Sequence, residues 1–190
     1  MVDLVVFLGN PGVQYEKTRH NVGWMVADHL PAAMNCGTQQ KFKGRYATVQ
    51  IGGGKVSLLW PQTFMNQSGD CVGRFASFFR IEAERVLVVH DELELPFGTI
   101  ALRRGGGLGG HNGLRSIQSA LSTPNFLRLR IGISRPKHGN VSSWVLSRFS
   151  AEEEGFLPHI LNAAADGLEQ TVRASNAQVL ERFAKVVVIP

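Results

Sequence analysis

A histidine can take a proton from water when a carboxylate holds its other ring nitrogen, because that contact fixes the tautomer and raises the basicity of the free nitrogen. The pair on offer here is His20, in Thr18-Arg19-His20-Asn21, and Asp91, in His90-Asp91-Glu92-Leu93. Carboxamides are the second ingredient: Asn10 in Gly9-Asn10-Pro11-Gly12, Asn66 in Phe64-Met65-Asn66-Gln67-Ser68-Gly69, and Asn112 in Gly109-Gly110-His111-Asn112-Gly113. Neutral donors suit a carbonyl that becomes an oxyanion, since they stabilise negative charge without neutralising the histidine. Each residue alone has a plainer reading. A lone histidine satisfies buried polar neighbours, an asparagine turns or caps, and an acid ends a strand. The combination points to attack of an activated water on an ester carbonyl.

Positioning such groups falls to the elements around them. Short apolar runs rich in β-branched residues, Leu4 to Leu8, Val56 to Trp60 and Val86 to His90, alternate with longer segments of helical spacing, as in a sheet covered by helices. Ligands of open α/β sheets bind beyond the carboxyl ends of the strands, where Asn10 and Asp91 fall. Leu127, Leu129, Ile131 and Ile133 alternate with Arg128 and Arg130, which reads as a strand with one cationic face. Val72, Phe75, Ala76 and Phe79 recur at helical spacing, so the stretch from about Phe64 to Phe79 reads as one amphipathic helix despite Gly69 and Gly73. Ser150 and Glu153 form a capping-box pattern ahead of the stripe Ile160, Ala164, Leu168, Val172, with Pro158 leaving the helix start open. Without repeats, low-complexity tracts or long linkers, the expected fold class is α/β: a single domain over residues 1–190, with a mixed, largely parallel twisted sheet flanked by helices. The apolar ending Val186-Val187-Val188-Ile189-Pro190 either packs on the body or stays unstructured.

Composition narrows the partners. With 44% hydrophobic and 18% charged residues, 190 residues suffice for a real core. A net charge of +5 and a pI near 9.6 favour an anionic partner. Nucleic acid stands ahead of a membrane surface, because no basic amphipathic helix or lipidation motif is present. Cys36 and Cys71 are too few for a disulfide framework and lack metal-ligand spacing, so the expected compartment is the cytoplasm. Leu4 to Leu8 is too short for a signal or a membrane span.

Two other chemistries compete for the same motifs. Gly105-x-Gly107-x-x-Gly110 fits a dinucleotide fingerprint between a strand at Gly98 to Arg103 and a helix near His111. It falls in mid-chain, however, and Arg130 stands where a ribose-binding acid would be needed. Glycines that let a loop open over a large substrate explain the run more simply. Ser68, beside Asn66, is the serine to weigh as a nucleophile, but Asn66 replaces the first glycine of a nucleophile elbow, so direct attack by water is favoured.

Taken in order, GNPG, YxxTRHNVG, FMNxSG, HDELxLPFG, GGGxGGHNGLRSI and NFxRLRIGI, spread from Leu8 to Ile133, resemble the motifs of bacterial peptidyl-tRNA hydrolases. The resemblance implies that His20 is the general base, that Asp91 stabilises its proton-accepting form, and that Asn10 beside it discriminates blocked from unblocked aminoacyl groups. It implies that Asn66 and Asn112 hold substrate or water, and that Tyr15 and Phe64 contact the tRNA end or the first peptide unit. Asn21 and His111 join the substrate-binding set, with a loop-fixing role as the alternative for His111. Arg103 and Arg130 match positions that grip acceptor-stem phosphates. The implied substrate is peptidyl-tRNA, cleaved by a monomer without cofactor, metal or membrane. Leu108 departs from a commonly polar loop position, and the last third of the chain matches loosely. A non-catalytic RNA-binding relative would tolerate loss of the dyad, whereas all five key residues are intact here.

Overall fold

The apolar runs become the middle of one sheet. In the computed structural model, which describes residues 1–174 and 176–189, β1 (Leu4–Phe7) lies between β4 (Gly54–Pro61) and β5 (Val86–Glu92) and is parallel to both. Helix α1 (Val22–Ala27), the short α2 (Pro31–Met34), β2 (Gln39–Lys41) and β3 (Gly44–Ile51) intervene between β1 and β4. Beyond β5 come β6 (Thr99–Arg104) and β7 (Leu127–Gly132), with α3 (Ser68–Phe79) before β5 and α4 (Asn112–Leu121) between β6 and β7. The chain ends with α5 (Val141–Val145), α6 (Ala151–Arg173), α7 (Ala177–Arg182) and β8 (Val186–Val187). Among the described residues the strands form one eight-stranded sheet of order β2-β3-β4-β1-β5-β7-β6-β8. β4, β1, β5 and β7 run parallel, and the flanking pairs are antiparallel. This is the expected mixed sheet. Its carboxyl edge brings Asn10, just after β1, next to Asp91 near the end of β5, where the connection from β4 to β5 crosses β1.

Alternation along the strands builds a layer on each face. Leu87 and Val89 join Val5, Phe7, Val26, Ile160 and Leu168 on the side of α1 and α6. Val86 and Val88 join Leu4, Val6, Phe75, Leu114 and Ile117 on the side of α3 and α4. A fully buried side chain such as Phe75 contributes roughly 1.5–3 kcal/mol through burial.

Several sequence-based expectations are redrawn. The stretch from Phe64 to Phe79 is not one helix: a 3-10 turn at Met65–Gln67 precedes α3, with Gln67 at φ −117° and ψ 9°. Gly98, at φ +85°, is the turn before β6 and not its first residue. The cationic face of β7 is not free. Arg128 is 1% exposed, donating to the carbonyls of Gly107 at 2.9 Å and Gly105. The Ser150–Glu153 capping box is formed, starting α6 at Ala151 and accommodating Pro158 inside the helix. Of the apolar ending, β8 pairs with β6 and Ile189 packs against Gly98. Pro190 lies outside the described residues.

Candidate active site

Three turns converge beyond the carboxyl ends of β1, β4 and β5. The first follows β1, where an amide clasp shapes the chain: Asn10 N–H donates to Asn21 Oδ1, and Asn21 Nδ2 donates back to the Asn10 carbonyl, both at 2.9 Å. Asn10 Oδ1 in turn accepts from the Met65 backbone N–H at 2.7 Å, so one residue ties the first turn to the second. Helix α1 enters closely because Gly23 faces the Leu8 and Val89 carbonyls; a Cβ there would lie 2.5 and 2.6 Å from them.

At the floor sits a three-residue network. His20 Nδ1–H donates to Asp91 Oδ1 at 2.9 Å, leaving Nε2 with its lone pair. His111 Nε2–H donates to the same oxygen, also at 2.9 Å. His111 also caps α4, its Nδ1 accepting from the N–H groups of Gly113 at 3.1 Å and Leu114 at 3.3 Å. Two donors aimed at Nδ1 leave only the Nε2–H tautomer, so hydrogen bonds fix the proton positions on both rings. Burial alone would lower the His20 pKa, but the charge and hydrogen bond of Asp91 together raise it above the ordinary 6.5. Burial would likewise push the Asp91 carboxyl up, yet the neighbouring His20 and His111 hold it well below the carboxylate range. His90, directly before Asp91, is buried and kept neutral, its pKa lowered first by burial and then by His111.

The nitrogens of His20 and His111 and an Asp91 oxygen lie within 4.8 Å of one another, close enough to suggest a cation site. The donor pattern argues otherwise. A cation would need the lone pairs of the two nitrogens whose protons now go to Asp91, and the Gly113 and Leu114 N–H groups would lose their acceptor. The cluster is knit for protons.

Above this floor opens a cleft of about 720 Å³. Asn10, Tyr15, His20, Phe64, Asn66, Asp91, His111 and Asn112 all line it, so eight residues singled out from the sequence meet in one place. Asn66 and Asn112 are exposed at its sides. The rings of Tyr15 and Phe64 meet edge to face, centroids 6.4 Å apart, with Phe64 55% exposed.

Asn21 is the exception among the pocket candidates. It is fully buried and its amide is spent on the backbone of Asn10, so it shapes the turn and does not reach the cleft. Arg103 and Arg130 lie outside the cleft lining, on the face of β6 and β7 that carries Arg128. Arg103 is exposed, while Arg130 donates to Glu92 Oε2 at 2.9 Å with its side chain 15% exposed. Burial, then the charges of Arg130 and Arg103, lower the Arg128 pKa.

Other nucleophiles fall away. Ser68 is fully buried and donates to the Met65 carbonyl at 2.8 Å. Burial, then Asp70, push the Cys71 thiol up to about 12. The glycine run follows a strand antiparallel to β7, whereas a dinucleotide fingerprint follows a parallel one. Sequence reasoning missed the opposite wall of the cleft, made by Val141, Ser142, Val145 and Leu146 of α5 and its end. A five-residue helix with little periodicity gives no signal to find.

The chain matches the family described as peptidyl-tRNA hydrolase over residues 4–188, well past the motifs that end at Ile133. The peptidyl-tRNA hydrolase of Geobacillus thermodenitrificans is 45% identical over 182 residues, 95% of this chain and 98% of that one. That of Treponema pallidum is 44% identical over 181 residues, covering 93% and 90%. The crystal structure of peptidyl-tRNA hydrolase from Acinetobacter baumannii superposes with a TM-score of 0.87 at 38% identity, covering 96% of this chain and 94% of that one. With the match spanning the whole sheet and the cleft at its carboxyl edge, the chain belongs to the peptidyl-tRNA hydrolase family.

Proposed function

We propose that the cleft hydrolyses the ester joining a peptide, or an N-blocked aminoacyl group, to the terminal ribose of tRNA, with His20 as general base. The observation that carries this reading is the 2.9 Å contact from His20 Nδ1 to Asp91, which leaves Nε2 as a proton acceptor in a cleft walled by carboxamides. Water loses a proton to Nε2 as its oxygen bonds to the ester carbonyl carbon. The carbonyl oxygen takes the negative charge under the N–H groups of Asn66 and Asn112. When the tetrahedral intermediate collapses, the C–O bond to the ribose breaks and the His20 proton passes to the leaving hydroxyl. Asp91 remains ionised throughout, stabilising the imidazolium.

With the Asn10 oxygen occupied by Met65, the Nδ2 donor of Asn10 is the group left to recognise the blocked amide next to the ester. Tyr15 and Phe64 hold the tRNA end or the first peptide unit at the mouth. Arg103 and Arg130 contact acceptor-stem phosphates, Arg130 by exchanging part of its pairing with Glu92. The whole chain, 1–190, acts as one domain and as a monomer in the cytoplasm. Among the described residues no helix is long and apolar enough to cross a membrane.

Release of free tRNA from an N-blocked aminoacyl-tRNA, beside its unblocked counterpart and a His20→Ala control, tests the reading. The expected result is cleavage of the blocked substrate only, lost in the variant. Unchanged cleavage by His20→Ala would remove His20 from the mechanism, and no cleavage by the folded wild-type chain would leave an RNA-binding relative.

A further inference from the structure

Arg19 immediately precedes the candidate base, yet its side chain serves a different part of the chain. The residue is 3% exposed. Its Nη1 donates to Ser147 Oγ at 2.8 Å and to the Arg148 carbonyl, and its Nη2 pairs with Glu153 Oε2 at 2.5 Å. The guanidinium lies 3.8 Å from the centroid of the Trp144 ring and 5.1 Å from that of Phe149. Backbone contacts run alongside: Arg19 N–H donates to the Ser147 carbonyl at 2.9 Å, and Thr18 forms an isolated antiparallel bridge with Arg148.

The Arg19 side chain reaches α5, the junction between α5 and α6, and Glu153 in the first turn of α6. Trp144 donates from its indole N–H to the Ser134 carbonyl at 2.8 Å. Glu153 Oε2 also accepts from the Ser150 N–H at 2.7 Å, so the Arg19 partner is the same carboxylate that closes the capping box of α6. Helix α5 has five residues, too few to be stable by itself. It nevertheless supplies one wall of the cleft, with Val141 and Leu146 39% and 41% exposed. A buried charge is a costly way to hold a helix unless its geometry matters. The planar fork of Arg19 grips edge-on while a ring covers its face, an arrangement that an ammonium cannot reproduce.

We propose that Arg19 is a positioning residue that docks α5 against the catalytic turn, so that the wall formed by Val141, Ser142, Val145 and Leu146 stands at a fixed distance from His20. The inference rests on the reading of the cleft as the site for the blocked aminoacyl end. It assigns Arg19 to substrate affinity, leaving the proton chemistry of His20 to Asp91.

Arg19→Lys in the full chain keeps the charge and loses the fork. The expected result with N-blocked aminoacyl-tRNA is a KM raised by ~10-fold or more, with kcat within ~3-fold of wild type and an unmoved pH midpoint of kcat. Hydrogen exchange over residues 141–147 should quicken in the variant while β1 and β5 keep their protection. A fall in kcat at constant KM, or unchanged exchange in that segment, would overturn the proposal. Should Arg19→Lys fail to fold, Glu153→Gln carries the test: it keeps a side chain able to close the capping box and removes the charge that pairs with Arg19 Nη2, so KM should rise in the same direction, and a wild-type KM would refute the docking role. Loss of cleavage by the wild-type chain would count against the proposed function alone, because the exchange measurement stands without activity.

Discussion

Asp91 Oδ1 accepts from two imidazoles whose other nitrogens have opposite duties, one free towards the cleft and one locked onto the start of α4. Replacing Asp91 with Asn therefore acts on both. Once the carboxylate is gone, burial is left to lower the His20 pKa, so the acidic limb of the kcat/KM profile should move to lower pH while the rate falls by ~10²–10⁴-fold. A limb that stays where it is in wild type would detach that titration from His20. Stability follows the same contact seen from each partner. Asp91 is depressed on folding, so its contribution is present above its ordinary 3.8 and is lost as pH falls through the folded value. His20 is raised, so its contribution is complete below 6.5 and is lost as pH rises through the folded value. The pair was legible from residue types, since His, Asp and Asn in strand-end loops have few other reasons to recur together. The fate of Asn21 was not legible, because only the folded turn shows its amide facing the Asn10 backbone.

Glycines in α3 disagree with helix propensity and agree with packing. An added Cβ at Gly69 would stand 2.0 Å from the Ser116 carbonyl oxygen, and one at Gly73 would stand 3.0 Å from Ala120 Cβ. These glycines let α3 and α4 approach until Gly69 N–H donates to Ser116 Oγ at 2.8 Å. The approach matters to the cleft, since Asn66 stands just before α3 and Asn112 opens α4. We expect Gly69→Ala to cost ~1–3 kcal/mol, the scale of overpacking into backbone, and to reduce kcat/KM by pushing the two carboxamides apart. Urea unfolding with parallel kinetics would check it; stability and rate both at wild-type level would mean that the helices can separate freely. Periodicity located α3, but the local break into a 3-10 turn at Met65–Gln67 depends on Asn10, far away in sequence, capturing the Met65 N–H.

Across the molecule, Arg103, Arg128 and Arg130 share one face of β6 and β7, and the fold divides their labour. Arg128 is consumed by the carbonyls of the glycine run, Arg130 is balanced by Glu92, and Arg103 is exposed. If Arg103 and Arg130 grip phosphates, replacing both with Ala should weaken tRNA binding and flatten the dependence of log K on log salt by about 1 for each phosphate no longer held. Titrations at several salt concentrations measure the slope, and an unaltered slope would place the phosphate grip elsewhere. Alternation in the sequence identified the arginine-bearing face of β7. It did not show that the glycine loop folds back over Arg128, because that loop returns from the end of β6 to the far edge of the sheet only once β6 has paired antiparallel to β7.

Amino-acid order by itself pointed to the α/β class, the largely parallel sheet, the capping box of α6 and the set of His20, Asp91 and three carboxamides that meets in the cleft. Those follow from period, caps and side-chain chemistry, which are local and survive without knowledge of neighbours. Tertiary structure decided which donors were already spent, where the glycines allow helices to touch, how part of the apolar ending covers the edge of β6, and that the Arg19 side chain joins α5 and the start of α6 to the turn carrying His20. Each of those depends on groups distant in the chain that meet only when the sheet closes, and a hydrogen bond given to one partner is withdrawn from every other.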